Sequence, residues 1–391
     1  MRLPFFALAT AVLLLAACSE SSQTTTLAPP PKPAGPQMGS PVTASGKARI
    51  ALLLPLSGRT APIGRSMQQA AEMSLFDSGA KDLALSTYDS GETPDAAVQA
   101  YTKARTDGCA LVLGPLFGTS ATALAPLVQQ GGAKAISFSN DEKAAQPGVW
   151  IMGIAAPPQV RRVVDYAIST GIKRFAAFAP QTTYGDQMAQ VLREAATARG
   201  ATVVAVEEFS PQSLDMTAAA KRLAAAAAAG DGKVAILVPV APPQLSAVLA
   251  SLSAAEIDTS KVQLIGTGVW DVAGLGSEPM LRGAWYAAPD PAKRADFERR
   301  FVATYGRPPH RLATLAYDAV ALAAQLARLK PGGDFSAEAI TNPAGWSGID
   351  GIFRFLPDGR SERGLAVIEI QGDRSSVVSR SPTSFGQMAT N

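Results

Sequence analysis

The sequence predicts an α/β protein built on two doubly wound, largely parallel sheets, and three observations carry that prediction. From Arg49 onward, short apolar runs alternate with longer segments of helical period. The alternation restarts once, near residue 157. At 391 residues the chain also exceeds the roughly 250–300 residues at which a single core stops growing, so two helix-covered sheets fit better than one.

Residues 49–54 (RIALLL) are a continuous apolar run, the pattern of a strand buried on both faces. Within 64–76, Met67, Ala70, Ala71, Ser74 and Leu75 recur at helical spacing. A strand follows at 83–88, and Thr93-Pro94-Asp95 then opens a helix reaching about residue 107, with Thr93 as N-cap and Pro94 at the first helical position. Strands at 109–113, 133–138 and 149–154 accompany a helix at 120–130. The second round gives helices at 157–170, 185–199, 214–229 and 243–254, with strands at 174–179, 202–206, 234–239 and 262–265. Alanine in 216–229 favours the helix and lets it pack close to a sheet. The last third breaks the rhythm: a strand at 284–287, consecutive helices at 291–305 and 312–329, then GIFRFLPDGRSERGLAVIEI, an antiparallel pair turning at Pro357-Asp358-Gly359. The chain is therefore expected to cross late between its halves and to end in strands at a sheet edge. The polar stretch 376–391 is expected to be a flexible tail.

Composition removes several function classes. Lys and Arg total 35 against 32 Asp and Glu, a formal net charge of +3, and no long basic run occurs, so a nucleic-acid partner is not expected. One histidine, His310, and two cysteines, Cys18 and Cys109, do not make a zinc cage or the usual thiol dyad. No metal site or cofactor signature is present: there is no Gly-x-Ser-x-Gly elbow and no phosphate-binding glycine loop. Ser78-Gly79-Ala80-Lys81 matches a Ser-x-x-Lys pattern but lies at a helix end without companion motifs, so it is read as chance. Glu207 and Glu208 alternate across a strand and do not converge as a pair of catalytic acids must. No enzymatic residue set emerges. His310, after Pro308-Pro309 at a helix entry, reads as surface, and Cys109, in an apolar strand, as an inert buried thiol.

The N-terminus reads as an address. Met1-Arg2 precedes an apolar stretch from Leu3 to Leu15 and the small residues Ala16-Ala17, the order of a secretory signal too short for a permanent membrane span. Leu15-Ala16-Ala17-Cys18 resembles the bacterial lipobox, which implies cleavage after residue 17 and lipidation of Cys18, and so a membrane partner through an acyl anchor. Ser19 after the cysteine implies, by the same resemblance, sorting to the outer membrane, facing the periplasm. Residues 18–47 have almost no large apolar side chain and carry Pro29, Pro30, Pro31 and Pro33, the composition of a disordered tether.

The order of elements resembles the type I periplasmic binding-protein fold of the branched-chain amino-acid receptor kind. The segments that carry the resemblance are ALLLPLSGRTAPIGRSMQQAAEM, LVLGPLFGTSATALAPL, SFSND at 137–141, YGDQMAQVLREA at 184–195 and IGTGVWD at 265–271. It implies two Rossmann-like lobes joined by a hinge of three crossings, with a ligand cleft between them. Lobe 1 is expected at about 48–155 and 288–338, and lobe 2 at about 156–287 and 339–375. Within that superfamily GTGVWD, GAWYAAPDP and YGRPPHRLATLAYDAVALAAQLA, with the lipobox and tether, look most similar to the penicillin-binding-protein activator lipoproteins. That likeness implies a non-enzymatic role in peptidoglycan synthesis, with a bifunctional penicillin-binding protein as partner. The alternative is a lipid-anchored solute receptor that takes amino acids or a related small polar ligand and serves an ABC transporter.

Candidate cleft residues follow from strand ends, since open α/β sheets bind ligands beyond the carboxyl ends of their strands. In the first half these are Ser57 and Gly58, then Phe117, Thr119 and Ser120 at a helix start, then Ser139 and Asn140. By the resemblance, hydroxyls and backbone N–H groups there hold a ligand carboxylate. The other reading makes Thr119 or Ser120 a helix N-cap and Ser57-Gly58 a turn. In the second half, Tyr184 and Trp270 resemble aromatic walls and Asp271 an ammonium partner; otherwise Trp270 packs a lobe and Asp271 is a loop charge.

Overall fold

The computed structural model describes residues 46–213, 216–272, 274–372 and 374–388. The expected signal peptide (1–17), Cys18 and nearly all of the expected tether lie outside the described residues.

Lobe 1 opens with β1 (Ala48–Leu54), α1 (Ala61–Ser78), β2 (Leu83–Asp89), α2 (Pro94–Thr106), β3 (Leu111–Leu113), α3 (Gly118–Gln129), β4 (Lys134–Ser137) and β5 (Val149–Ile151). Its five strands lie all parallel in the order β2-β1-β3-β4-β5. Side chains alternate across a strand, and β1 uses both faces. Ile50, Leu52 and Leu54 join one core cluster, while Ala51 and Leu53 join another with α2 and α3 residues. Thr93 caps α2 by accepting the Ala96 N–H, with Pro94 behind it, as the Thr-Pro-Asp pattern predicts.

The chain then crosses through residues 152–155 into lobe 2: α4 (Ala156–Ser169), β6 (Arg174–Pro180), α5 (Thr183–Ala198), β7 (Thr202–Phe209), α6 (Thr217–Ala228), β8 (Val234–Leu237), α7 (Gln244–Ala254), β9 (Val262–Gly266) and β10 (Trp285–Ala288). A second crossing leads to α8 (Pro291–Tyr305), α9 (Ala313–Arg328), α10 (Ala337–Ile340) and a three-stranded antiparallel sheet of β11 (Trp346–Gly348), β12 (Gly351–Phe355) and β13 (Ser361–Arg363). The third crossing returns to lobe 2 with β14 (Ala366–Gln371) and β15 (Arg374–Ser379), and α11 (Phe385–Met388) follows. The second sheet runs β15-β14-β10-β9-β8-β6-β7, parallel from β7 to β10 and antiparallel at β14 and β15. Phe175 and Ala177 of β6 face α4 and α5, and Ala176 and Phe178 face α6 and α7. Both lobes thus repeat one strand order. They also repeat one contact: a Cβ on Gly64 of α1 would overlap the Pro55 carbonyl oxygen, and one on Gly185 of α5 the Pro180 carbonyl oxygen.

Two expected boundaries need correction. Residues 339–363 do not belong with lobe 2: Ile340, Phe353 and Phe355 are buried in the lobe 1 cluster beside Trp150, and the Trp150 indole donates to the Leu356 carbonyl at 3.0 Å. Burying a phenylalanine is worth about 1.5–3 kcal/mol, and the lobe 1 core is where two of them find cover. The third crossing therefore falls at 363–366, not near 338. The expected flexible tail from 376 is also too early. β15 pairs with β14 through Ser379, and buried Phe385 sits 4.5 Å from the Arg354 guanidinium.

Candidate functional site

At the end of β1, the loop donors are already engaged by carboxylates of the same lobe. Leu56 and Gly91 N–H donate to Asp89 at 2.9 Å. The Thr60 N–H and hydroxyl both donate to Glu92, at 2.7 and 2.8 Å, which holds the Glu92 carboxyl below its ordinary range. Gly58 turns the chain at a φ of +77° with its Cα facing that carboxylate, and a Cβ there would press into it. Ser57 is exposed.

Thr119 and Ser120 do not cap α3. Phe117, half-buried, is the N-cap, and no side chain caps the helix. Ser120 is buried with its hydroxyl unpartnered, and Thr119 is exposed. The buried Ser139 hydroxyl accepts the Asp141 N–H at 3.0 Å, Asn140 is exposed, and a Cβ on Gly118 would come within 3.2 Å of Ser139 Oγ and the Asp141 carboxylate. Another acidic group of this chain therefore lies beside the N-terminus of α3, where a helix favours negative charge.

In lobe 2, Trp270 follows the lobe-packing reading and Asp271 neither of its two. Trp270 does not form a cleft wall: it is 1% exposed in the lobe 2 core, its indole donates to Val240 O at 3.0 Å, and its ring covers Gly266 so closely that no Cβ fits. The indole N–H needs a buried acceptor and the ring needs apolar cover, and both lie inside the lobe. Tyr184, in the first turn of α5, shares a 3.0 Å hydrogen bond with buried Thr267. Asp271 is neither a loop charge nor an open ammonium partner. It receives a bidentate hydrogen bond from Arg294 of α8, of which the Nη2–Oδ1 arm is 3.1 Å, and Arg311 Nε lies 3.4 Å away. Burial alone would push the Asp271 carboxyl up, but the two guanidinium groups outweigh it and hold it below the ordinary range. Among the described residues, Asp271 is the one candidate whose side chain hydrogen-bonds across the lobes.

Sequence reasoning missed what Asp271 leads into. Arg311 also pairs with Asp350 at 3.2 Å, in the turn between β11 and β12. Asp350 is fully buried and accepts the Thr314 hydroxyl at 2.6 Å. Its neighbour Asp318 accepts the Ile349 N–H at 2.7 Å. Arg363, also buried, donates to Met152 O and lies 5.1 Å from the Phe353 ring. Partners 23, 40 and 39 residues apart leave no periodic signal in a sequence. Among the described residues no cluster suits a metal ion, and no helix is long and apolar enough to cross a membrane. A groove of about 500 Å³ on lobe 2, between α5 and β7, touches none of the candidate residues.

Burial, and after it the charge of Asp350, pushes the Asp318 carboxyl up to about 7. Between the unfolded value near 4 and about 7, the folded state holds a proton that the unfolded chain has lost. This group therefore makes stability fall as pH rises through that window and flatten above it. Denaturant unfolding followed from pH 4 to 8 should show that decline in the native chain and a shallower one in Asp318→Asn. Equal slopes would contradict the assignment.

Two repeated α/β lobes joined by three crossings, with loops at their strand ends, define the type I periplasmic binding-protein architecture. The chain belongs to the periplasmic binding protein family, whose model matches residues 47–375. Among solved structures, a candidate branched-chain amino acid ABC transporter protein from Rhodospirillum rubrum superposes with a TM-score of 0.73 at 22% identity, covering 85% of this chain and 100% of that one. A branched-chain amino acid ABC transporter periplasmic ligand-binding protein from Burkholderia xenovorans LB400 gives 0.69 at 16% identity, covering 88% and 98%. A branched-chain amino acid transporter substrate-binding protein from Streptococcus pneumoniae, in complex with isoleucine, gives 0.60 at 19% identity, covering 85% and 99%. By sequence, an uncharacterized protein of Rickettsia prowazekii (strain Madrid E) is 25% identical over 144 residues, 37% of this chain. The match spans only 38% of that relative.

Proposed function

We propose that this chain is a lipid-anchored outer-membrane protein, facing the periplasm, that regulates peptidoglycan synthesis by binding and activating a bifunctional penicillin-binding protein, without catalysing a reaction itself. The observation that carries this reading is the state of Asp271. An amino-acid receptor needs an acidic group free for the ligand ammonium, and here that carboxylate is bonded to Arg294 and Arg311. The carboxylate side points the same way, since Glu92 takes the Thr60 donors of the β1 loop. The lipobox ending in Cys18 and the GTGVWD, GAWYAAPDP and YGRPPHRLATLAYDAV segments support the envelope role.

The test is capture of envelope proteins by the full chain from a detergent extract, with the captured proteins labelled by a fluorescent penicillin. A specifically retained bifunctional synthase, whose polymerase or crosslinking rate rises on adding the chain, is the expected result. Retention of transporter subunits with no penicillin-labelled band would overturn it.

A second reading, a solute receptor serving an ABC transporter, is favoured by the S. pneumoniae relative in complex with isoleucine and by the unpartnered Ser120 hydroxyl at the start of α3. A ligand of dissociation constant Kd stabilises the fold by RT ln(1 + [L]/Kd), about 2.7 kcal/mol at a hundredfold excess. The activator reading expects no such rise with isoleucine or other amino acids at millimolar concentration.

A further inference from the structure

The two ends of the Asp271 ion pair are anchored in different lobes. Asp271 follows Trp270, which is locked into the lobe 2 core and bonded to Val240. Arg294 lies on α8, whose Phe297 and Phe301 are fully buried against Ala70 and Met73 of α1 and Ala313 of α9, all in lobe 1. Arg311, just before α9, brings a second lobe 1 element to the same carboxylate. Neither side of the main pair is a solvated surface charge: the Asp271 and Arg294 side chains are 13% and 16% exposed.

We propose that Asp271, Arg294 and Arg311 form an interlobe latch, an ion pair within the chain that holds the lobes together and takes the place of a small molecule bridging them. The pair lies beside the crossing between β10 and α8. Bending that crossing alone could carry Arg294 with Asp271, but not Arg311, which arrives from a separate element. The charges continue past the latch. Arg311 holds Asp350, Glu298 lies 3.7 Å from Arg294, and Arg363 at the third crossing donates to Met152 O at the first. The Asp271 pair thus sits at the second crossing, while the Arg363–Met152 bond ties the first and third crossings to each other, and a bidentate guanidinium–carboxylate pair supplies both strength and orientation.

Spin labels on Arg59→Cys and Gln181→Cys, exposed positions following β1 and β6 of the two lobes, report lobe separation by pulsed electron resonance. The full chain is used with Cys18→Ser, leaving only the buried Cys109 besides the labels. The native sequence is expected to give one narrow distance distribution, unchanged by millimolar amino acids. Asp271→Asn should raise the long-distance population at least about tenfold, equivalent to roughly 1.4 kcal/mol. Arg294→Lys, which keeps the charge and loses the fork, should fall between the two and serves if the asparagine variant does not fold. A native distribution already broad, or a folded variant with the native distribution, overturns the latch while leaving the capture experiment with the synthase unaffected.

Discussion

Replacing Trp270 with alanine is expected to lower the unfolding free energy by about 3–5 kcal/mol, the cost of truncating a large buried aromatic. The residue is 1% exposed and fills the lobe 2 core among Leu281, Tyr286 and Leu264. Its removal also leaves the Val240 carbonyl without the indole N–H it accepts, and an unpaired buried acceptor costs a further part of that sum. Trp270→Phe should recover most of the packing and none of the hydrogen bond, so a smaller loss is expected there. Equilibrium unfolding in urea measures both. A loss below about 1 kcal/mol in Trp270→Ala would mean that the ring is a surface wall after all.

Asp271→Ala is expected to cost somewhat less, about 1.5–3 kcal/mol, by a different route. Removing one partner of this half-buried pair leaves the other charge poorly compensated: among the described residues the remaining ion-pair partner of Arg294 is Glu298 at 3.7 Å. The double variant with Arg294→Ala should be less destabilised than the two single losses summed, because the stranded charge leaves with the side chain. A double-mutant cycle by chemical denaturation reads that coupling directly. Additive losses would show that the pair is energetically idle. The low-lying Asp271 carboxyl also sets the sign of the pH response: a depressed folded value contributes stability present above the unfolded range near 4 and lost only as pH falls through the lower folded value.

Much of the fold was legible in the sequence because periodicity is local. RIALLL reads as a two-faced buried strand, and β1 does supply both clusters of lobe 1. Thr93-Pro94-Asp95 reads as a helix start, and Thr93 does cap α2. The site was legible only as a set of positions. Ser57, Phe117 and Ser139 stand at strand ends as the alternation requires, yet which donors are taken depends on Asp89 at the end of β2 and Glu92 in the loop after it. Thr119 looked like a capping residue, but the backbone enters α3 two positions earlier, at Phe117.

What the sequence by itself determined about this protein is its α/β class, its division into two repeated rounds of strand and helix, and the capping and turn chemistry at their ends. Each of these rests on interactions within about twenty residues along the chain, where spacing alone places side chains on a face. Tertiary structure decided the rest. It sent Phe353 and Phe355 to lobe 1 and Phe385 back onto Arg354, turned Trp270 inward, and bound Asp271 to two arginines of the other lobe. A buried aromatic goes to whichever core has room for it, and a buried carboxylate to whichever cation the fold brings within hydrogen-bond reach. Both choices are made in space, between residues that sequence distance leaves unrelated.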